Sequence, residues 1–150
     1  MGNDGSAAEK LAMLRPGMVP GKKDFITPEE AEARVYVPYM EGQHVFKNAV
    51  AKMSESARLL CDRNNISIED LSLVISHQAN LRINEAVRMK LGLPKEKVFN
   101  NIEKFGNTTA ASLPLCISEA TEQGKLKKGD LLLLLAFGAG FTWGANLIRW

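Results

Sequence analysis

Cysteine and histidine are both scarce: the 150 residues hold two of each, Cys61 and Cys116, His44 and His77. The cysteines form no CxxC pair and the histidines no HExxH, so a zinc knuckle, a thioredoxin-like dithiol and a zincin helix are all excluded. Both cysteines read as reduced, and no metal site is expected. An excess of charge of one sign is lacking too. Nineteen Lys and Arg against seventeen Asp and Glu leave a net charge of +2, without the basic run of a nucleic-acid binder. No nucleic-acid partner is expected, and an electrostatic partner must be met by a local patch. The longest apolar run, Leu131 to Phe137, covers seven residues; a membrane span needs roughly 20. The opening Met1 to Ser6 has neither the charged nor the apolar region of a signal peptide, so the expected location is the cytoplasm.

What is present, 45% hydrophobic and 24% charged residues, is the composition of a single α/β domain. Residues 1–34 form a loop-rich lead-in, carrying Gly2, Gly5, Pro16, Gly17, Pro20, Gly21 and Pro28 and few large apolar side chains. Within it, Thr27-Pro28-Glu29-Glu30 has the cap, proline and first-turn acids of a short helix. From Gln43 to Asn65, Phe46, Ala49, Val50, Met53, Ala57 and Leu60 recur at three- and four-residue spacing, which predicts an amphipathic helix with that set buried. Ser67 to Asp70 is a capping-type turn, and Leu71 to Ser76 reads as a buried strand ending at His77. A helix from Asn80 to Leu91 closes at Gly92, and a short strand lies near Val98 and Phe99. A helix from about Ala110 to Glu122 ends at Gly124, and Leu131 to Phe137 and Phe141 to Ile148 read as antiparallel strands joined by Gly138-Ala139-Gly140. The order β-α-β-α-β-β after a leading helix predicts one mixed sheet with helices on its faces.

Loops at the carboxyl ends of such strands gather ligands. Three of them carry distinctive residues: Ser76-His77-Gln78-Ala79-Asn80-Leu81-Arg82-Ile83, then Asn101 through Gly106-Asn107-Thr108-Thr109-Ala110-Ala111-Ser112, then Ala136-Phe137-Gly138-Ala139-Gly140-Phe141-Thr142-Trp143-Gly144-Ala145. Taken singly each has a plainer reading. His77 could be structural, Asn107 a helix cap, the glycine loop a hairpin turn, and Arg82, Arg88 and Lys90 a solvated helix face. In this order, from about Val45 to Trp150, the motifs resemble the carboxyl-terminal half of β-ketoacyl-acyl carrier protein synthase III, an initiating condensing enzyme of the thiolase-like superfamily. The glycine-loop ending favours that family over chalcone-synthase-like enzymes, and Asn107 disfavours the two-histidine elongating synthases.

The resemblance implies a fold, a reaction and a site. Residues 35–150 would be the carboxyl-terminal half of a thiolase-like α/β fold. The whole enzyme would be an acyltransferase that condenses an acyl-coenzyme A primer with malonyl-acyl carrier protein in fatty-acid synthesis, with no cofactor beyond the substrates' pantetheine arms. His77 and Asn107 match the catalytic pair that donates hydrogen bonds to the malonyl thioester oxygen. Loss of carbon dioxide leaves an enolate, and neutral donors aimed at its oxygen are worth about 3–4 kcal/mol each. His77 should therefore be neutral, one ring nitrogen donating and the other held by a backbone group. Gly138, Ala139 and Gly140 match the oxyanion loop, Ala139 standing where the family offers a backbone N–H. Arg82 matches an arginine at the tunnel mouth. Arg88 and Lys90 would extend its patch toward the acidic carrier protein, and Asn80 is a candidate pantetheine contact.

The family's nucleophilic cysteine belongs to an amino-terminal half that finds no match here, and neither Cys61 nor Cys116 occupies a strand-to-helix nucleophile turn. The chain resembles a shortened product, an isolated domain or one subunit of a split enzyme. The expectation is a chain inactive in condensation alone, paired with the missing half or dimerised. The alternative is a non-catalytic module that keeps only carrier or partner binding.

Overall fold

The computed structural model describes residues 1–13, 26–34 and 37–150; Pro16, Gly17, Pro20 and Gly21, read above as loop, lie outside the described residues. The elements are β1 (Gly2–Asn3), β2 (Leu11–Ala12), α1 (Pro28–Glu32), β3 (Tyr39–Met40), α2 (Gly42–Arg63), β4 (Leu73–Ser76), α3 (Leu81–Leu91), β5 (Val98–Phe99), α4 (Ile102–Phe105), α5 (Ser112–Glu122), β6 (Leu131–Gly138) and β7 (Thr142–Arg149). Five strands form one mixed sheet in the order β1-β7-β6-β4-β5, and β2 and β3 make a separate antiparallel pair. Strand β4 is parallel to both β5 and β6, whereas β7 runs antiparallel to β6 and β1.

All four residues of β4 are buried, as a strand covered on both faces requires. On one side Val74, Leu133 and Leu135 meet Ala49, Met53, Ala57 and Cys61 of α2 and Val87 and Leu91 of α3. On the other, Leu73, Ile75 and Leu132 meet Cys116 and Ala120 of α5. The small residues of α5 let its backbone lie close to the sheet. Truncating a filled position such as Met53 or Leu133 would cost about 2–5 kcal/mol.

Local signals act as read at most element ends. Thr27 and Glu30 form a reciprocal capping box at α1. Gly92 closes α3 in the left-handed conformation, φ +74°, whereas Asn80, read above as the first helical residue, stands just before the helix as its side-chain cap. Two expectations need correction. The buried stripe of α2 runs Val45, Ala49, Met53, Ala57, Cys61, so Phe46 is displaced from the core by one position. The lead-in is not wholly outside the core: Ala7 is buried in a cluster with Val45 and Phe141. Gly2 lies so close to the Trp143 ring that a Cβ there would come within 2.6 Å of it.

Candidate functional site

The carboxyl ends of β4 and β6 open into a cavity of about 940 Å³. His77 lines it. The β4–β6 ladder continues one residue past β4, His77 N–H donating to the Leu135 carbonyl at 2.8 Å, so the histidine backbone is fixed by the sheet itself. Its half-buried ring places Nδ1 2.7 Å from Ser112 Oγ at the start of α5. Burial holds the His77 pKa below its ordinary 6.5, because an imidazolium would lose hydration there. The ring is neutral at neutral pH. The expected backbone partner for the second nitrogen is corrected to a side chain, the Ser112 hydroxyl.

Beneath this loop lies a buried polar network that sequence reasoning missed. Gln78 is fully buried. Its Nε2 donates to the Ser76 carbonyl and to Asn100 Oδ1, and its Oε1 accepts from the N–H groups of Asn101 and Ile102. Gln78 therefore straps the His77 loop to the segment that leads to Asn107. Nothing in the spacing of Gln78 and Asn101 announces this; a glutamine following a buried strand is the one available signal.

Asn107 reaches the same cavity from an exposed loop. Gly106 before it has φ +68° and ψ −160°, a region essentially open to glycine alone. Thr109 after it has φ +51°, uncommon for a β-branched residue. Asn107 Oδ1 accepts from Thr109 N–H at 3.0 Å. The amide orientation is thereby settled, and Nδ2, a pure donor, is left for the cavity.

Gly138 and Ala139 line the cavity as well. Ala139 lies outside the left-handed region, so a Cβ costs nothing there. Gly140 is not in the wall. Its φ is +139°, and a Cβ would meet Thr142 Oγ1 at 2.4 Å, which reserves the position for glycine as a turn residue. Asn80 and Arg82 line the mouth; Asn80 Oδ1 is already engaged by Arg82 N–H as the helix cap. Arg88 and Lys90 are not in the cavity wall. Arg88 bonds Glu85 and the Leu93 carbonyl, serving the carboxyl end of α3. The remaining wall is mostly apolar, with Phe46, Ala49 and Met53 from α2 and Phe137 from β6, and it also carries Gln43 and Lys47 of α2.

Neither cysteine joins the site. Both are buried, burial raises both thiols, that of Cys116 to about 11, and Cys116 donates to Asn101 Oδ1. Among the described residues no group of three or more His, Cys, Asp or Glu could hold a metal ion, and no helix is long and apolar enough to cross a membrane.

A mixed sheet with a histidine closing a buried parallel strand, and an asparagine and a glycine loop converging on it, defines one half of a thiolase-like fold. A chain in the synthase III structure from Thermus thermophilus superposes with TM-score 0.83 at 37% identity, covering 99% of this chain and 44% of that one. The 3-oxoacyl-(acyl-carrier-protein) synthase III structure from Aquifex aeolicus VF5 gives 0.81 at 41%, covering 99% and 42%. Residues 61–150 match the family described as 3-oxoacyl-(acyl-carrier-protein) synthase III C terminal, and the chain belongs to it. The beta-ketoacyl-(acyl-carrier-protein) synthase III of Chlorobium phaeobacteroides is 40% identical over 148 residues, 99% of this chain and 44% of the relative. That of Porphyromonas gingivalis is 49% identical over 124 residues, 83% and 36%. The chain thus spans about two fifths of the curated relatives it matches.

Proposed function

We propose that this chain supplies the decarboxylating half of a β-ketoacyl-acyl carrier protein synthase III site. The observation that carries the reading is the convergence of His77 and Asn107 on one largely apolar cavity, each with one polar atom already engaged by the protein. The substrate's thioester oxygen sits between the two donors. The bond from Cα to the malonyl carboxylate breaks, carbon dioxide leaves, and the electron pair moves onto that oxygen as an enolate. Neutral donors stabilise the charge without protonating the carbanion, and apolar walls strengthen both bonds. The enolate carbon then attacks an acyl thioester on a cysteine supplied by an amino-terminal half, expelling the thiolate. Arg82, exposed at the mouth, meets the carrier protein's acidic surface or the pantetheine phosphate. Arg88, being engaged within α3, contributes little to that patch.

The test is condensation of acyl-coenzyme A with malonyl-carrier protein by this chain assembled with a cysteine-bearing amino-terminal half, the complex being verified by native mass spectrometry. His77→Ala and Asn107→Ala are each expected to lower kcat by about 100- to 1000-fold, and Arg82→Glu to raise KM for the carrier substrate. Unchanged kcat in the first two would overturn the reading. So would a labelled acyl-cysteine formed by this chain alone, since both its thiols are buried.

A further inference from the structure

Ser112 lies 35 positions from His77 in the chain and is 1% exposed, yet its Oγ carries two contacts. Gln78 N–H donates to it at 3.2 Å, and His77 Nδ1 is 2.7 Å away. A hydroxyl has one hydrogen to give, and a buried one must give it to something. The usual recipient for a serine in a first helical turn is the carbonyl four residues back. Here that is Thr108, whose oxygen already accepts from Thr109 Oγ1 and from Ala111 N–H. The acceptor left within reach is Nδ1. Were Nδ1 to carry a proton instead, Oγ would receive two donors and its own hydrogen would be buried without a partner.

We infer that Ser112 is a positioning residue that fixes His77 in the tautomer bearing its proton on Nε2, the ring nitrogen left to face the cavity. Its chemical consequence rests on the reading of His77 as an enolate donor, because a donor needs that proton and the other tautomer would aim a lone pair at developing negative charge. The strap is built into the fold. Ser112 starts α5, Gln78 follows β4, and the one hydroxyl oxygen gathers the backbone of the His77 loop and the His77 ring together.

Nitrogen-15 NMR of the histidine rings tests this directly on the 150-residue chain, where His44 is the only other histidine and His44→Gln assigns the signals. The wild-type His77 is expected to show a bare, hydrogen-bonded Nδ1 and a protonated Nε2. In Ser112→Ala the Nδ1 resonance should move to that of an unbonded imine nitrogen and a second tautomer should become populated. Ser112→Thr, which keeps the hydroxyl, should restore the wild-type signal. In the assembled enzyme Ser112→Ala should lower kcat about tenfold with KM little changed, and Ser112→Thr should recover most of it. A wild-type proton on Nδ1, or an Nδ1 resonance indifferent to Ser112→Ala, overturns the inference. If the alanine variant does not fold, the wild-type and threonine spectra decide. Asn107→Ala removes the other donor and should leave the His77 ring signals in place, so a failure of the donor reading is distinguishable from a failure of the tautomer assignment.

Discussion

The two loops that bring the candidate donors together are held by different means. His77 follows a strand buried on both faces, its N–H extends the sheet ladder, and its ring and neighbour are tied to α5 and to residues 100–102. Asn107 sits exposed between Gly106 and Thr109, both at positive φ, and its own bond reaches two residues along the same loop. One donor is positioned by the core and the other by local backbone conformation. Variants around His77 should therefore be felt first as lost stability, and variants around Asn107 as lost aim.

The largest effect is expected where the core side of this contrast is cut. Gln78→Leu leaves the Asn101 and Ile102 N–H groups without their acceptor in a buried setting. At about 1–3 kcal/mol per unsatisfied group, urea unfolding should show a loss of about 3 kcal/mol; less than 1 kcal/mol would mean that the two loops are not coupled through this side chain. Gly106→Ala comes next. Its dihedrals are costly for alanine by about 1–3 kcal/mol, and nothing crowds the added Cβ, so relaxation of the Asn107 loop should take up the strain. A lowered kcat with a nearly unchanged unfolding midpoint is the expected pair of readings; a large stability loss with intact kcat would contradict it.

A pH effect separates the two donors further. With its folded pKa depressed by burial, His77 gives a stabilising contribution that is complete above about pH 6.5, the ordinary histidine value. Below that the unfolded chain binds a proton that the folded chain refuses, and the contribution is lost as pH falls through the lower folded pKa. Unfolding midpoints compared between about pH 7.5 and 5.5 should fall in the wild type, and less steeply in His77→Gln. An equal slope in both would show that the ring is not the group responsible. Asn107 does not titrate, so Asn107→Ala should keep the wild-type slope. The smallest effect is Ala139→Gly, expected within about 0.5–1 kcal/mol in stability and neutral in kcat, because a backbone N–H serves equally from either residue.

Much of this arrangement is legible in the sequence. Helices α2, α3 and α5 and strands β4, β6 and β7 announce themselves by apolar period, capping residues and glycine stops. Strands β1, β2 and β3 do not: a two-residue strand has no period, and their residues lack the β-branched and aromatic pair that marks β5 at Val98 and Phe99. Strand β1 exists because Gly2 and Asn3 find Trp143 and Thr142 across the sheet, and Gly2 is the residue that lets the backbone approach the indole. Spacing alone sets the α2 stripe one residue off, because Val45 and Phe46 are both apolar. Which of the two enters the core depends on the rotation of the helix against β6 and β7. Arg88 reads in sequence as part of a surface patch because charge in a sequence carries no sign of its partner.

By itself, then, the sequence determined the order of the longer helices and strands, the types of residue at the three strand-end loops, and the family to which they belong, since these are written in local spacing and residue chemistry. The tertiary structure alone decided which polar atoms satisfy one another. Ser112 meets His77, and Gln78 meets Asn101 and Ile102. Burying a polar group obliges it to find a partner wherever the fold brings one, at any distance along the chain, and no local pattern records that choice.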